Sequence, residues 1–401
     1  MRRPVDKDQV FPEVASFDKM GLKDSLLLGV YAYGYEHPTE VQRKAILPLL
    51  AERDVIAQAQ AGTGKTAVFA IAALQRIDET IPVCQAVVIS PVRELAEQSN
   101  EVNDMLGSSM GVKSRCFTGG DQSQTERHDM MKIRDGVHIT VGTPGRLASL
   151  VEKKILSLKD VKIFIVDEAD ELLTKGHKDN LSYLMQSLPE GAQIAMFSAT
   201  LPRDVLVTAE TFMCDPLRIL LPFESVIPKG LKQFVVEMDR EDQKLGALQD
   251  LLRQISFSKA ILFVNTKESA KWLHSEMSKE AHTCELFYGD MAMEDRRKAC
   301  ARFKRGDVRI LIATDALSRG FDVQQVSLVM NFDIPNCSYL EGRTGGRESY
   351  THRVGRTGRH GKKGTAISLV ASRQDYGWLR DIANFFSCDI RPLQTEDLRT
   401  L

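Results

Sequence analysis

Long apolar runs are absent from this 401-residue sequence, and so is an excess of either charge sign. No stretch reaches the roughly 20 apolar residues of a membrane-spanning helix, and the charged start at residues 1–6 lacks the apolar core of a signal peptide. With 53 basic and 54 acidic residues, the net charge of −1 produces no global field that attracts polyanions. We therefore expect a soluble intracellular protein, cytoplasmic or nuclear or both, that has no membrane partner.

Cysteines are scattered, and no two of them form a C-x-x-C pair. Their odd number, seven, argues against a disulfide framework and a zinc site and indicates a reducing compartment. The cysteines are Cys84, Cys116, Cys214, Cys284, Cys300, Cys337 and Cys388. With 43% hydrophobic residues, a chain of 401 residues can form two ordinary cores, so we expect two domains.

A glycine-rich stretch from Ala59 to Thr66 lies between a short apolar strand at 55–57 and a helix predicted from Ala67. The backbone N–H groups of such a loop and the positive end of the next helix can hold a chain of phosphates. Lys65 adds a charge at the terminal phosphates, and the Thr66 hydroxyl is a ligand suited to Mg²⁺. The usual pattern has glycine in place of Ala59, so the prediction depends on the Gly-Lys-Thr end of the loop.

A phosphate loop does not select a base, so another group must read the adenine of ATP. Gln42 is suited to this role, because one amide offers both a donor and an acceptor to the adenine edge. Tyr35 or Phe17 would cover the face of the ring. The sequence therefore predicts ATP as the nucleotide.

Arginines follow two predicted strands in the first half of the chain, at the starts of helices. Arg93 comes after the apolar strand at 86–90, and Arg146 comes after the strand at 139–141. Guanidinium groups beside a helix start suit contacts to a sugar-phosphate backbone. Ordinary helix capping with surface arginines would produce the same pattern, and the sequence leaves both interpretations open.

Acidic residues end the apolar strand at 163–166. At the carboxyl edge of an α/β sheet, Asp167 can hold Mg²⁺ and Glu168 can deprotonate the attacking water. The next strand, 193–197, is followed by Ser198 and Thr200, whose hydroxyls we expect to hydrogen-bond to Asp170. These residues predict a nucleoside-triphosphate hydrolase.

The second half of the chain carries another α/β series without a phosphate loop. A segment with two prolines, residues 221–232, is the predicted linker, which leaves domains at 1–220 and 233–401. The predicted strands of the second domain are residues 261–265, 309–313, 326–330 and 365–369. Arg356 and Arg359, three residues apart, are predicted to lie on one helix turn and to neutralise charge in phosphoryl transfer as arginine fingers. A basic helix that binds nothing, or only nucleic acid, is the alternative.

With these residues in view, the chain resembles the DEAD-box RNA helicases, and among them the translation initiation factor 4A group. The matching motifs follow the order of the family and cover nearly the whole chain. They are Phe17 with 34–42, 59–66, 91–96, Gly119 with Gly120, 143–146, 167–170, 198–200, 263–266, 314–323 and 352–359.

The resemblance implies two tandem RecA-like domains, each a mostly parallel sheet flanked by helices, that close on ATP, Mg²⁺ and single-stranded RNA. The implied ATP-binding residues are Phe17, Tyr35, Gln42, Ala61, Gly62, Thr63, Gly64, Lys65, Thr66, Gly320, Asp322, Arg356 and Arg359. Catalysis would use Lys65, Asp167, Glu168, Arg356 and Arg359, with Thr66 and Asp167 at the metal. The implied RNA contacts are Pro91, Arg93, Gly120, Thr143, Arg146, Asn265 and Thr314. Coupling between the domains would involve Asp170, Ser198, Thr200 and His352.

Three positions depart from the family pattern. Val92 stands where threonine is usual, which removes one hydroxyl from the RNA track, and Ser318 replaces an alanine. An insert at 337–346 lengthens the spacing between Pro335 and the helix before the fingers. This insert is either a tolerated surface loop or a grip for RNA or a partner, made of Tyr339, Arg343 and Arg347.

Three functions are compatible with this set of motifs. The first is an RNA-dependent ATPase that unwinds short duplexes, and the second is an ATP-locked RNA clamp of the exon-junction type. The third, a DNA translocase, is disfavoured by the adenine-reading and Asp-Glu-Ala-Asp signatures. The resemblance also implies a monomer that works with a protein scaffold, of the initiation-factor-4G or the exon-junction type, in translation initiation or mRNA processing.

Overall fold

The computed structural model describes residues 11–59, 63–119, 126–174, 176–201, 203–220, 230–280, 282–318, 326–335, 345–357 and 364–398. Among these, the residues up to 220 form one compact unit and those from 230 form a second. Within the described ranges, no helix is both long and apolar enough to cross a membrane.

The first unit is built on a seven-stranded sheet in which neighbouring strands are parallel, with the order β3-β4-β2-β5-β6-β1-β7. The strands are β1 (Val55–Gln58), β2 (Ala86–Ile89), β3 (Ser114–Phe117), β4 (Ile139–Gly142), β5 (Ile163–Val166), β6 (Gln193–Ser198) and β7 (Leu217–Leu220). All parallel strands end at one edge of the sheet, so the loops that follow β1, β2, β4, β5 and β6 share that edge.

Alternate residues of the central strands face two separate cores. In β5, Ile163 and Ile165 pack in one core, while Phe164 and Val166 pack in the other. Both faces are covered by helices, which explains why the central strands read as continuous apolar runs. A short 3₁₀ helix, Phe17–Met20, precedes the α-helices. These are α1 (Asp24–Ala32), α2 (Glu40–Leu50), α3 (Lys65–Arg76), α4 (Arg93–Leu106), α5 (Glu126–Arg134), α6 (Pro144–Glu152), α7 (Ala169–Thr174), α8 (Lys178–Gln186) and α9 (Arg203–Phe212).

The second unit repeats this topology strand for strand, with the order β10-β11-β9-β12-β13-β8-β14. Its strands are β8 (Leu231–Glu237), β9 (Lys259–Phe263), β10 (Cys284–Phe287), β11 (Ile310–Ala313), β12 (Val326–Asn331), β13 (Gly364–Val370) and β14 (Arg391–Pro392). Its helices are α10 (Gln243–Gln254), α11 (Lys267–Lys279), α12 (Met293–Arg305), α13 (Asp315–Ser318), α14 (Gly345–Val354), α15 (Arg373–Phe386) and α16 (Thr395–Leu398). The expected class of two tandem α/β units is confirmed.

Several local predictions differ from the structure. Helix α3 begins at Lys65, two residues before the predicted start, because Gly64 already provides its N-cap. Residues 221–229 of the predicted linker lie outside the described ranges, and the last two linker residues belong to β8. Helix α14 ends at Val354, so Arg356 follows the helix in a turn instead of lying on it.

The insert predicted at 337–346 lies outside the described residues up to 344, and Gly345 and Gly346 begin α14. In one of the two interpretations of the insert, the side chain of Arg347 helps to grip RNA or a partner. In the structure it donates two hydrogen bonds to Asp381 on α15, at 2.7 and 2.8 Å, and stacks on Phe385. Because its guanidinium is held by α15, Arg347 serves to attach the start of α14.

Candidate functional site

Three neighbouring strands bring the phosphate loop and the acidic residues to one edge of the first sheet. The N–H of Ala59 donates to the carbonyl of Ser198 at 2.9 Å, which extends the β1–β6 ladder beyond the strand end. On the other side of β5, the N–H of Asp167 donates to the carbonyl of Ile89 at 2.9 Å. The loop after β1 and the acids after β5 therefore flank the end of β6.

Gly64 is the N-cap of α3 and has a φ of 92°, in the left-handed region that favours glycine. A Cβ at this position would lie 2.5 Å from Nε2 of Gln42. The requirement for glycine here is therefore both conformational and steric, and it keeps the helix start close to α2.

Gln42 connects the start of α2 to the phosphate loop. Its Oε1 accepts the N–H of Thr39 at 2.8 Å in a capping box, and its Nε2 donates to the carbonyl of Gly64 at 3.2 Å. A side-chain amide has a second acceptor site and a second donor, so these bonds leave capacity for an adenine edge. The sequence did not predict this second role, because the contact with Gly64 spans 22 residues.

Lys65 lies buried between the two acids that follow β5. Its Nζ is 3.2 Å from Oε1 of Glu168 and 3.9 Å from Oδ1 of Asp167. Burial by itself lowers the pKa of Lys65, but the neighbouring carboxylates, first of all that of Glu168, outweigh burial and hold this pKa above its ordinary value. The lysine is therefore a fixed positive charge at the carboxyl edge of the sheet.

The two acids differ in environment and in backbone geometry. Burial raises the pKa of Asp167 above its ordinary value, against the opposing effect of Lys65. Glu168 has a φ of 50°, a strained conformation for a residue with a side chain, and its N–H donates to Oδ1 of Asp167 at 3.0 Å. The strained turn holds both carboxylates beside the same lysine.

Asp170 is held by the hydroxyls predicted to reach it. Its N–H donates to Oγ of Ser198 at 3.3 Å, and Oγ1 of Thr200 donates to its Oδ2 at 2.8 Å. These bonds tie the start of α7 to the end of β6. Asp170 and Ser198 are buried, and Thr200 is partly exposed.

The aromatic residues predicted to cover adenine are in different surroundings. Phe17 is 0% exposed and packs edge-on against Tyr31, with ring centroids 6.4 Å apart. Phe17 is part of the core, and its contact with adenine stays a prediction. Tyr35 is partly exposed and lies against Tyr33, with ring centroids 4.7 Å apart, and its contact with adenine stays a prediction.

The two arginines predicted to contact RNA in the first unit have partners within the protein. Arg93 is buried as the first residue of α4, and its Nη2 donates to the carbonyl of Gly119. Arg146, in the first turn of α6, pairs with the fully buried Asp129 on α5. Arg93 is therefore not a surface arginine, whereas Arg146 is partly exposed, and the RNA contacts of both residues stay predictions. The remaining predicted residues beside them are Pro91, which is buried, and the partly exposed Thr143, which is the N-cap of α6.

A buried arginine for which the motifs predict no role lies at the carboxyl edge of the second sheet and joins several strand ends. Arg353 on α14 is 0% exposed and donates to Oδ1 of Asp315 at 2.6 Å, to the carbonyl of Asp333 at 2.7 Å and to Oδ1 of Asn265 at 2.8 Å. Three strand ends are thereby joined to one helix. The partners of Arg353 lie 38, 20 and 88 residues away along the chain, so the sequence of α14 alone does not reveal them.

The predicted contacts in the second unit lie around this arginine. Nδ2 of Asn265 also donates to the carbonyl of Ile334 at 2.8 Å, so both ends of this amide have protein partners. Thr314 is half-buried at the end of β11, and its N–H donates to the carbonyl of Phe287 at 3.1 Å. His352 is buried, and its carbonyl accepts Nε of Arg356 at 3.0 Å.

Some predicted site residues lie outside the described ranges. These are Ala61, Gly62, Gly120, Gly320, Asp322 and Arg359. Thr63 and Thr66 are partly exposed at the base of the phosphate loop.

Two family models match the chain in the same order as the two units. The DEAD/DEAH box helicase model matches residues 39–207, and the helicase conserved C-terminal domain matches residues 243–361. The ATP-dependent RNA helicase eIF4A of Aspergillus niger is 42% identical over 385 residues, 96% of this chain and 94% of that protein. That of Schizosaccharomyces pombe is 42% identical over 387 residues, 96% of this chain and 95% of that protein.

Solved structures agree with these matches. The structure of S. cerevisiae Dbp5 bound to RNA and ADP BeF3 is 32% identical, with a TM-score of 0.87 over 96% of this chain and 97% of that chain. The tandem RecA-like fold expected from the motifs is thereby confirmed. Since the relatives match nearly the full length on both sides, this chain belongs to the DEAD-box helicase family and is an ATP-dependent RNA helicase similar to eIF4A.

Proposed function

We propose that this chain uses ATP hydrolysis at the Lys65 site to bind single-stranded RNA through its backbone and to separate short duplexes. The observation that carries the proposal is the buried cluster of Lys65, Asp167 and Glu168 at the carboxyl edge of the first sheet. A fixed cation beside two carboxylates, directly after a phosphate-binding loop, is the arrangement that phosphoryl transfer to water requires.

Each group in the cluster has a separate task. Lys65 neutralises the terminal phosphates, and Glu168 accepts the proton of the attacking water. Two oxygen ligands suited to Mg²⁺ are present at the carboxyl edge of the first sheet. They are the hydroxyl of Thr66, the second residue of α3, and the carboxylate of Asp167, which directly follows β5. Thr66 and Asp167 would hold the ion, which would supply charge neutralisation at the phosphates when bound.

Asp167 fits a cation ligand in this structure. Its side chain is 4% exposed, and the nearest cationic atom, Nζ of Lys65, is 3.9 Å from its Oδ1, beyond hydrogen-bonding distance. A carboxylate buried in this way is stabilised by a further positive charge. Burial raises the pKa of Asp167, which means that burial disfavours the charged carboxylate, and a nearby cation opposes this effect.

RNA recognition is proposed to use sugar and phosphate groups, with the 2′-hydroxyl distinguishing RNA from DNA. The positions proposed for this contact are Pro91, Arg93, Gly120, Thr143, Arg146, Asn265 and Thr314. We assign them to two domains, one that ends at residue 220 and one that begins with β8 at Leu231. Asp322 would hold the ribose, and Asp170 with His352 would couple nucleotide and RNA binding.

The names of the relatives favour a role in translation initiation, with a protein scaffold of the initiation-factor-4G type as partner. They give less support to an ATP-locked clamp of the exon-junction type. Steady-state ATP hydrolysis with RNA, with DNA and without polymer tests the proposal, repeated with and without a scaffold domain. We expect RNA to stimulate turnover and DNA not to do so; equal stimulation by both polymers would contradict the assignment.

Gln42→Ala should weaken ATP binding roughly ten-fold and reduce the preference for ATP over GTP. The variant loses an adenine-reading amide and the bond that holds the carbonyl of Gly64. Competition of GTP against labelled ATP measures the preference. Gln42→Glu is a second test variant, since it keeps the acceptor for Thr39 but replaces the donor with a negative charge. Lys44→Ala on the same helix is the control, because Lys44 pairs with Glu40 and is partly exposed; retained ATP selectivity in both Gln42 variants would refute base reading by Gln42.

Arg356→Ala should lower RNA-stimulated turnover by about 10³-fold while changing nucleotide affinity little, because a finger acts on the charge that develops during transfer. Steady-state kinetics and a nucleotide-binding titration separate the two effects. Arg347→Ala is the control, since it removes another arginine associated with the same helix, one that pairs with Asp381. Parallel losses of turnover and affinity in Arg356→Ala would indicate a structural role.

A further inference from the structure

Two described residues on either side of residues 120–125 contact arginines that we propose for RNA binding. The carbonyl of Gly119 accepts Nη2 of Arg93. Asp129 on α5 accepts the guanidinium of Arg146. Both arginines lie in the first turns of helices that follow strands of the first sheet, at its carboxyl edge. We propose that RNA binds along this edge.

Asp129 and Arg146 form a buried ion pair. Asp129 is 0% exposed and the Arg146 side chain is 18% exposed. Nε and Nη2 of Arg146 both donate to Oδ2 of Asp129, at 2.8 and 2.6 Å. Among the described residues, Oδ1 of Asp129 has no hydrogen-bond partner, so Arg146 carries most of the compensation for burying this charge. Asp129 is therefore paired with one of the two proposed RNA-binding arginines, although it belongs to none of the motifs found in the sequence.

We propose that Asp129 is a positioning residue for RNA binding, which holds the guanidinium of Arg146 in one orientation at the first turn of α6. This inference rests on the proposed function, since it assumes that Arg146 contacts RNA. An arginine with two N–H donors fixed on one carboxylate presents its planar group in a defined direction, and a phosphate bound to it meets a preorganised partner. Asp129 also cancels part of the arginine's charge. If Asp129 mainly orients Arg146, its removal weakens RNA binding, and if it mainly screens the charge, its removal strengthens RNA binding.

Asp129→Asn provides the test, because it keeps the size of the side chain and an acceptor oxygen but removes the charge that holds Arg146. We expect the RNA concentration for half-maximal ATPase stimulation to rise roughly three- to ten-fold, with the KM for ATP unchanged. Glu126→Gln is the matched control, since Glu126 lies one turn earlier on α5 and its carboxylate pairs with the exposed Lys153. This control should leave the RNA requirement unchanged.

A double-mutant cycle shows whether Asp129 acts through Arg146. In an Arg146→Met background, adding Asp129→Asn should change the RNA requirement less than two-fold, because no guanidinium remains to be positioned. Arg146→Met alone leaves the buried carboxylate of Asp129 unpaired, which destabilises the fold. The double variant removes both charges and avoids this effect. Thermal unfolding of all variants identifies any loss of fold.

The outcomes separate this inference from the function beneath it. A parent chain whose ATPase is not stimulated by RNA would overturn the proposed function and this inference with it. If RNA stimulates the parent but the RNA requirement of Asp129→Asn is unchanged or lower, only the inference is overturned. An unchanged requirement would mean that Asp129 has no effect, and a lower one would mean that it mainly screens the charge of Arg146. The same rise in both backgrounds, or an equal rise in the KM for ATP, would also overturn it, because a purely structural role predicts those results.

Discussion

Lys65→Ala is expected to abolish ATP turnover, with a loss of at least about 10²- to 10³-fold in kcat. Lys65 is the positive charge that the structure places between the acids after β5, with its Nζ 3.2 Å from Glu168. Its removal deprives the terminal phosphates of neutralisation and brings two buried carboxylates together without a cation. ATP binding should weaken as well, because the ground state also carries the phosphate charge.

Steady-state phosphate release in the presence of saturating RNA measures this loss. Lys65→Met keeps most of the side-chain volume, and thermal unfolding of both variants shows how much of the loss comes from a weakened fold. Lys44→Ala is a matched control, since it removes a lysine of the same unit that pairs with Glu40 across one helix turn and is partly exposed. Turnover in Lys65→Met within about three-fold of the parent would contradict the phosphate-binding assignment.

Glu168→Gln should block hydrolysis by about 10²- to 10⁴-fold while leaving ATP and RNA bound. The amide oxygen can still accept the hydrogen bond from Lys65, so the loop and its lysine keep their positions. The variant cannot take a proton from water. It also removes one negative charge near the phosphates, so ATP affinity should be equal to that of the parent or higher.

Two measurements are needed, a nucleotide-binding titration with RNA present and single-turnover phosphate release. Glu210→Gln serves as the control, because Glu210 is an exposed acid of the same unit that pairs with Arg218 at 3.1 Å. The assignment of Glu168 as the base fails if its glutamine variant hydrolyses bound ATP at the parental rate. If ATP no longer binds, Glu168 supports the loop instead of acting on water.

Most inner strands of both sheets could be predicted from the sequence because helices cover both faces. The exception is β8, whose polar residues interrupt the apolar run and which was not predicted. The letters IFIV of β5 and ILIA of β11 are continuous apolar runs, and all eight residues are buried. Edge strands have no such signature. The exposed arginine in β7, with the letters LRIL, and the partly exposed residues of β3 and β10 interrupt the apolar pattern, and none of these three strands was predicted.

The chemistry of the nucleotide site was also determined by the sequence, since it depends on residues close together in the chain. A loop ending in Gly-Lys-Thr and a strand ending in two acids lie at the carboxyl ends of parallel strands, and parallel strands end at one edge of a sheet. The contact between Lys65 and Glu168 therefore follows from topology, although 103 residues separate them.

Only the tertiary structure decided which polar side chains are held by the protein itself. Phe17 is 0% exposed, and Arg347 pairs with Asp381; neither the burial of the first nor the partner of the second follows from the sequence around it. Asp129 and Arg353 were left without roles. Burial and the partner of a charged side chain depend on which helices and strand ends pack together, so the pattern of residues along one segment does not contain them.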